Sequence, residues 1–297
     1  MSFTDPLDGL DSVDWSQLSH AYGPANDIPM FLKQLQSTNQ DVCAAAGDAL
    51  LSSIYHQGSR YSASVEAVPF LYSLISHKQT TGRAFLLYLV TSLAIGHPTW
   101  SVPNGVDIEQ WQKRIAGLES PGEHSCQLHE FRAYEAVERG LPEIARCLED
   151  ESPSIRATAA HALAFFPRKA DRSVTALLDL LDEEPTCTVR CTIFLALAIL
   201  VRPLNHALKP SIIQKLQGCY ESTLTMDGAD ILTKWSSATA LIILGSTQQG
   251  LFEETRRVLV DDVYSVSLEA SIDPGIDFPF ASFSLRPLAQ AVLRDKF

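Results

Sequence analysis

The chain has 297 residues, of which 35 are acidic and 23 basic, for a formal net charge of −12. An excess of carboxylates with no Lys/Arg run argues against a nucleic-acid partner, because that affinity comes largely from neutralised phosphates. No apolar stretch approaches the roughly 18 residues of a membrane-spanning helix. The acidic start MSFTDPLDGLDSVDW lacks the basic and apolar regions of an export signal, so reduced cysteines in the cytoplasm are the expectation.

In chain order, residues 1–27 read as an N-terminal arm, with a short helix near 11–18 and a turn at Tyr22-Gly23-Pro24. Residues 28–98 hold two helix pairs. The first is 28–36 with 41–56, closed by a Gly58 cap. The second is 64–76 with 81–95, ended by Gly96-His97-Pro98. Residues 99–130 break the rhythm. Turns at Pro103-Asn104-Gly105 and Pro121-Gly122 flank a helix near 107–118, an insertion placed to cover a groove. Residues 131–246 resume with three pairs: 131–148 (kinked at Gly140-Leu141-Pro142) with 153–166, 174–181 with 188–201, and 208–221 with 229–244. Residues 247–297 read as a cap, with a helix at 252–260, a loop or hairpin over 263–285 and a closing helix at 285–295. The whole, 1–297, is expected to be one domain.

The second helix of each pair repeats in columns. Aligned on Cys43, Arg83, Arg156, Arg190 and Lys234, the residues seven later are Leu50, Val90, Leu163, Leu197 and Leu241. Those four later are Gly47, Leu87, Ala160, Phe194 and Ala238. Offsets of four and seven share one helical face, so each copy buries the same stripe. Helix pairs recurring every 35 to 45 residues or so are the signature of an α-solenoid.

An acidic turn precedes two of these helices: Glu149-Asp150-Glu151 before Ile155-Arg156, and Asp182-Glu183-Glu184 before Val189-Arg190. The pattern resembles HEAT repeats. The N-terminal half also resembles stand-alone microbial HEAT-like proteins, through Tyr22-Gly23-Pro24-Ala25-Asn26-Asp27-Ile28-Pro29, His56-Gln57-Gly58, Tyr61, Ala67-Val68-Pro69-Phe70-Leu71 and Gly140-Leu141-Pro142. Together the resemblance spans most of 20–205. It implies an all-α, right-handed α-solenoid of five to six HEAT-like helix pairs, with the insertion near 99–130 and an irregular C-terminal cap. It carries no particular activity.

Candidate site residues fall into groups, each with two readings. The column five after the alignment point varies most: Asp48, Tyr88, His161, Leu195 and Thr239. Variable side chains on a fixed scaffold are where a solenoid encodes ligand choice. His161 there is either a general acid/base or a core histidine bonded to a carbonyl. Arg156 and Arg190 either brace neighbouring turns or form an anion-binding strip. His56-Gln57-Gly58-Ser59-Arg60-Tyr61 either offers directional hydrogen bonds to a ligand, with Tyr22 and Asp27 nearby, or is a plain helix terminus. His124, Cys126 and His129 include a zinc-like spacing, but no second ligand pair accompanies them, so no metal centre and no cofactor are expected. Cys187 and Cys191, one turn apart, either ligate or pair, or simply pack as small buried residues. Phosphate loops, dinucleotide fingerprints and nucleophile elbows are missing from the sequence.

Two functions follow. The first is a binding module that presents a concave groove to a protein or peptide partner, with Tyr22, Gln57, Tyr61, Tyr88, Arg156, Arg190 and Trp235 as ligand-binding candidates. The alternative is a cofactor-independent enzyme of isomerase, cyclase or hydrolase type acting on a small organic molecule. Its groove would be closed by the insertion and the tail and lined by Trp100, Trp111, Trp235 and Tyr88, with His56, His161, Asp48 and Glu135 moving protons. A HEAT-like DNA glycosylase is disfavoured by the acidic balance.

Overall fold

The repeated apolar column sets the architecture. Leu50, Val90, Leu163, Leu197 and Leu241 are each no more than 2 % exposed, and burying such stripes against neighbouring helices is the main driving force available to this chain. The computed structural model describes residues 5–97, 102, 104–117, 126–204, 206–225, 230–281 and 284–294. The fold is all-α. Among the described residues the only strands form two hairpins of two-residue strands, and no helix is long and apolar enough to cross a membrane. The chain divides into two compact units, Met1–His97 with Ile108–Ile144, and Pro98–Asp107 with Ala145–Phe297.

The first unit contains α1 (Ile28–Gln34), α2 (Gln40–Ser53), α3 (Ser62–Ser76), α4 (Arg83–Ile95), α5 (Ile108–Ala116) and α6 (Cys126–Arg139). Helix α1 packs on α2, α3 on α4, and α6 on both α3 and α4. The contact of α6 with α3 is close because Gly140 ends α6 directly against a ring. A Cβ there would lie 2.1 Å from Tyr72, whose hydroxyl donates to the Val137 carbonyl at 2.8 Å. Trp111 of α5 lies on Phe131 and Tyr134 of α6, at ring separations of 5.5 and 5.6 Å. The N-terminal arm anchors through Trp15, buried beside Phe70 of α3.

Several expectations are corrected here. Helix α2 ends at Ser53 rather than 56, because β3 (Tyr55–His56) pairs antiparallel with β4 (Ser59–Arg60). The two turn residues, Gln57 (φ 51°) and Gly58 (φ 87°), both have positive φ, as a two-residue type I′ hairpin turn requires. Gly58 therefore serves a hairpin and not a helix cap. Strands β1 (Ser19–His20) and β2 (Gly23–Pro24) form a second hairpin where a simple turn was expected. The 11–18 helix is two 3₁₀ turns, Leu10–Ser12 and Trp15–Gln17. Residues 126–130, placed in the expected insertion, belong to α6. Trp100, Pro103, Pro121, Gly122 and His124 lie outside the described residues.

Helix α7 (Leu141–Arg146) links into the second unit, which contains α8 (Pro153–Leu163), α9 (Ala170–Glu183), α10 (Cys187–Val201), α11 (Lys209–Thr225), α12 (Ile231–Ile243), α13 (Gln249–Val260), α14 (Asp262–Ala270) and α15 (Arg286–Leu293). Helix α10 packs against both α8 and α12, with α9 on α10, and α11 and α13 on α12. Every residue of α10 from Cys191 onward is buried, which explains its apolar composition on all sides. The first third of the expected loop over 263–285 is helix: α14 buries Tyr264, Ser265 and Leu268 at helical spacing. Among the described residues that follow, 271–281 and 284–285 are irregular.

Candidate functional site

Four of the five residues that head the repeat columns, Cys43, Arg83, Arg156 and Arg190, bond to carbonyls of the segment before their helix, whereas Lys234 pairs with Glu254. Cys43 directs its thiol to the Ser37 carbonyl at 3.0 Å. Arg156 Nη1 donates to the Asp150 and Glu151 carbonyls at 2.8 and 3.1 Å, and Arg190 Nη1 donates to those of Glu184 and Pro185 at 3.2 and 2.8 Å. Arg156 also forms a bidentate pair with Glu184 of the following repeat, at 2.7 and 2.8 Å. Burial pushes the Glu184 carboxyl up, but hydrogen bonds from Arg156 and Thr186 outweigh it and hold the group below its ordinary value. Arg156 and Arg190 are thus engaged in bracing turns.

The face that lies two before and five after the alignment point behaves differently in the two units. In the second unit the chain's own tail lies on it. The Ser154 hydroxyl donates to the Gly275 carbonyl at 3.2 Å. The Thr188 amide donates to the Asp273 carboxylate, and the Asp273 amide donates to the Thr188 hydroxyl, both at 2.8 Å. Phe280 sits edge-on to His161 at 4.6 Å between ring centres, and Phe278, Pro279 and Phe280 are all buried. His161 is fully enclosed, and desolvation lowers its pKa to about 3. An imidazole that stays neutral and sealed off cannot move substrate protons, so His161 leaves the list of acid/base candidates. Trp235, one of the ligand-binding candidates, is 0 % exposed, and its indole N–H donates to the Thr255 carbonyl.

In the first unit the same face is open. A groove of about 380 Å³ is lined by Leu35, Gln40, Cys43, Ala44, Gly47, Asp48, Thr81, Gly82, Phe85 and Leu86. Of these, Thr81 and Asp48 stand two before and five after their alignment residues, the positions that the tail meets in the second unit. Gly47 forms part of the floor, where a Cβ would come within 2.9 Å of the Phe85 ring. The floor is apolar, and the exposed Asp48 carboxylate stands on the rim.

A polar corner is built by the two hairpins and the start of α6. Tyr22 and His56 meet edge-on at 5.5 Å, with Tyr22 Oη 3.4 Å from His56 Nδ1. His56 Nδ1 also lies 3.1 Å from the Ser52 carbonyl. A carbonyl only accepts, so Nδ1 carries the hydrogen and Nε2 the lone pair of the neutral ring. His20 Nδ1 accepts the Tyr22 N–H at 3.0 Å and its Nε2–H donates to Asp27 at 2.9 Å, locking the first hairpin. Arg60 is only 4 % exposed. Its burial lowers the guanidinium pKa, and Glu130 at 3.6 Å offsets part of that. Cys126 donates to Glu130 at 3.3 Å. Burial and that carboxylate raise its pKa, so the thiol stays protonated. Burial raises Tyr61 and, with neighbouring Tyr88, pushes Tyr55 up to about 12.

Of the sequence candidates, Tyr22, His56 and Tyr61 come together here, Gln57 is the exposed tip of the second hairpin, and Tyr88 stands beside Tyr55. Asp48 belongs to the groove, and Glu135 is half-buried on α6. Sequence reasoning missed Phe85 and Ala44 as groove residues. It also missed the Arg60–Glu130 pairing, which depends on a distant contact.

Residues 127–198 match the family model for HEAT repeats. No curated protein and no solved structure matches the chain.

Proposed function

Residues 127–198 are HEAT repeats, a module that generally mediates protein interaction, and on that premise we propose that the protein binds an extended peptide segment of a partner protein along the open face of α2 and α4. The observation that carries this reading is internal. In the second unit the positions two before and five after the alignment residues hold an irregular segment of this same chain, with buried Phe278 and Phe280. In the first unit two of those positions, Thr81 and Asp48, border an apolar groove. An occupant with an aromatic or large aliphatic anchor matches the Phe85–Leu86–Ala44 floor. Asp48 on the rim and the net charge of −12 favour Lys or Arg beside that anchor. The test is an array of Phe-centred nonamer peptides with scanned flanks, probed with the full chain and with Ala44→Arg, which fills the groove from an exposed position. Basic-flanked peptides binding the wild type and losing at least roughly tenfold in affinity on Ala44→Arg supports the reading, at about 1.4 kcal/mol per tenfold. Binding that the variant leaves unchanged contradicts it.

A second reading, proton transfer on a small organic molecule at the polar corner, has one observation in its favour: the His56 ring is oriented by Ser52 so that Nε2 offers its lone pair. Comparing metabolites of cells that carry the wild-type chain or His56→Ala tests it. A small molecule that accumulates in the variant supports turnover, and identical profiles remove the reading.

A further inference from the structure

Neither the groove nor the polar corner uses Cys187 and Cys191. These thiols sit one turn apart at the start of α10, with Sγ to Sγ 3.7 Å. Asp230, 43 residues beyond Cys187, is the N-cap of α12 and touches the Cys187 thiol through Oδ2. One ligand atom from each of the three residues lies within 4.8 Å of the others. Thr233 Oγ1 is 3.5 and 3.8 Å from the two sulfurs. It also donates to Asp230 Oδ2 at 2.8 Å, while Oδ1 accepts the Leu232 N–H at 3.0 Å. The carboxylate is therefore oriented by two bonds of its own helix before any ligand arrives. Cys191 is buried, whereas Cys187 and Asp230 are half-exposed, which leaves a route in from solvent.

We propose that Cys187, Cys191 and Asp230 form a zinc site that ties α10 to α12. Two Zn–S bonds of about 2.3 Å at the tetrahedral angle hold their sulfurs about 3.8 Å apart, close to the separation already present. The contact between Cys187 and Asp230 must open as the ion enters, because Zn–S and Zn–O bonds of about 2.3 and 2.0 Å set those atoms about 3.5 Å apart. A paired-sulfur set selects zinc over magnesium or calcium, which prefer all-oxygen shells. The three ligands leave a fourth position for water. Zinc binding releases the thiol protons and leaves a net negative cluster, which the N-terminal ends of α10 and α12 help to stabilise. Thr233 and the Leu232 amide act as the outer shell that fixes the carboxylate.

The experiment uses the full chain, reduced and stripped with a chelator, then dialysed against zinc alone. Metal analysis is expected to give about one zinc per chain, with a rise in Tm that excess chelator reverses. Cys187→Ser and Asp230→Asn, both at half-exposed positions, are each expected to weaken zinc binding by roughly 100-fold or more while leaving the helical circular-dichroism spectrum unchanged. With cobalt in place of zinc, the sulfur-to-metal charge-transfer band should fall in Cys187→Ser and persist in Asp230→Asn at saturating metal. The proposal is overturned by lack of zinc uptake, by uptake that both variants retain at wild-type affinity, or by thiol titration showing a Cys187–Cys191 disulfide in a chain that takes up no zinc once reduced.

Discussion

His161 shows how one side chain's role depends on what packs over it. Enclosed by Phe165 and Phe280, it stays neutral in the folded chain down to about pH 3. The unfolded chain takes up that proton near pH 6.5, so folding stability falls as pH drops through the window from about 6.5 to about 3. The expected loss from this group is about 2 kcal/mol between pH 7 and pH 5. Urea unfolding at the two values should show it in the wild type, and His161→Leu should remove most of it; equal pH slopes in both chains contradict the assignment. Glu184 acts at lower pH. Its pKa is held below the ordinary carboxyl value, so its stabilising pair with Arg156 is present above about pH 4.5 and lost as the folded group protonates. With the Glu184 side chain 1 % exposed, Glu184→Gln should cost about 2–4 kcal/mol at pH 7, read as a lower urea midpoint. Sequence alone left both arginines and His161 with two readings, because the choice rests on partners such as Glu184 and Phe280 that no local pattern reveals.

The helices were legible as elements, since stripes such as Leu163 with Ala160 and Leu197 with Phe194 carry their own period. The hairpins were not. Two-residue strands such as Tyr55–His56 are too short to show alternation, and Gln57-Gly58 lacks the Asn or Asp that usually marks a type I′ turn. Helix α14 was also missed, because exposed Val263 and Val266 blur its polar face. Close approach between elements gives a sharp test. Gly140→Ala places a methyl group inside the Tyr72 ring contact, and overpacking there should destabilise the chain by about 1–3 kcal/mol in urea unfolding. An unchanged midpoint would mean that α3 and α6 are less tightly packed than described. For the tail, Phe280→Ala should cost about 3 kcal/mol and expose the His161 face. Faster amide exchange in 271–281 is the expected signature, and unchanged protection would argue that the tail is held by its polar contacts with Ser154 and Thr188.

Across the molecule, one repeated helix face appears in two conditions, met by residues 271–281 in the second unit and exposed in the first, where its Thr81 and Asp48 border a groove. The repeat columns made the scaffold readable from sequence, but which copy is open depends on where the tail docks, a long-range fact. The most direct measurement of the central claim is a charge swap at the groove rim. A fluorescent Phe-centred nonamer is titrated in Lys/Arg-flanked and Asp/Glu-flanked versions against the wild type and Asp48→Lys. The wild type should prefer the basic flanks and Asp48→Lys the acidic ones. The same flank preference in both chains, or binding by neither peptide, would contradict the account.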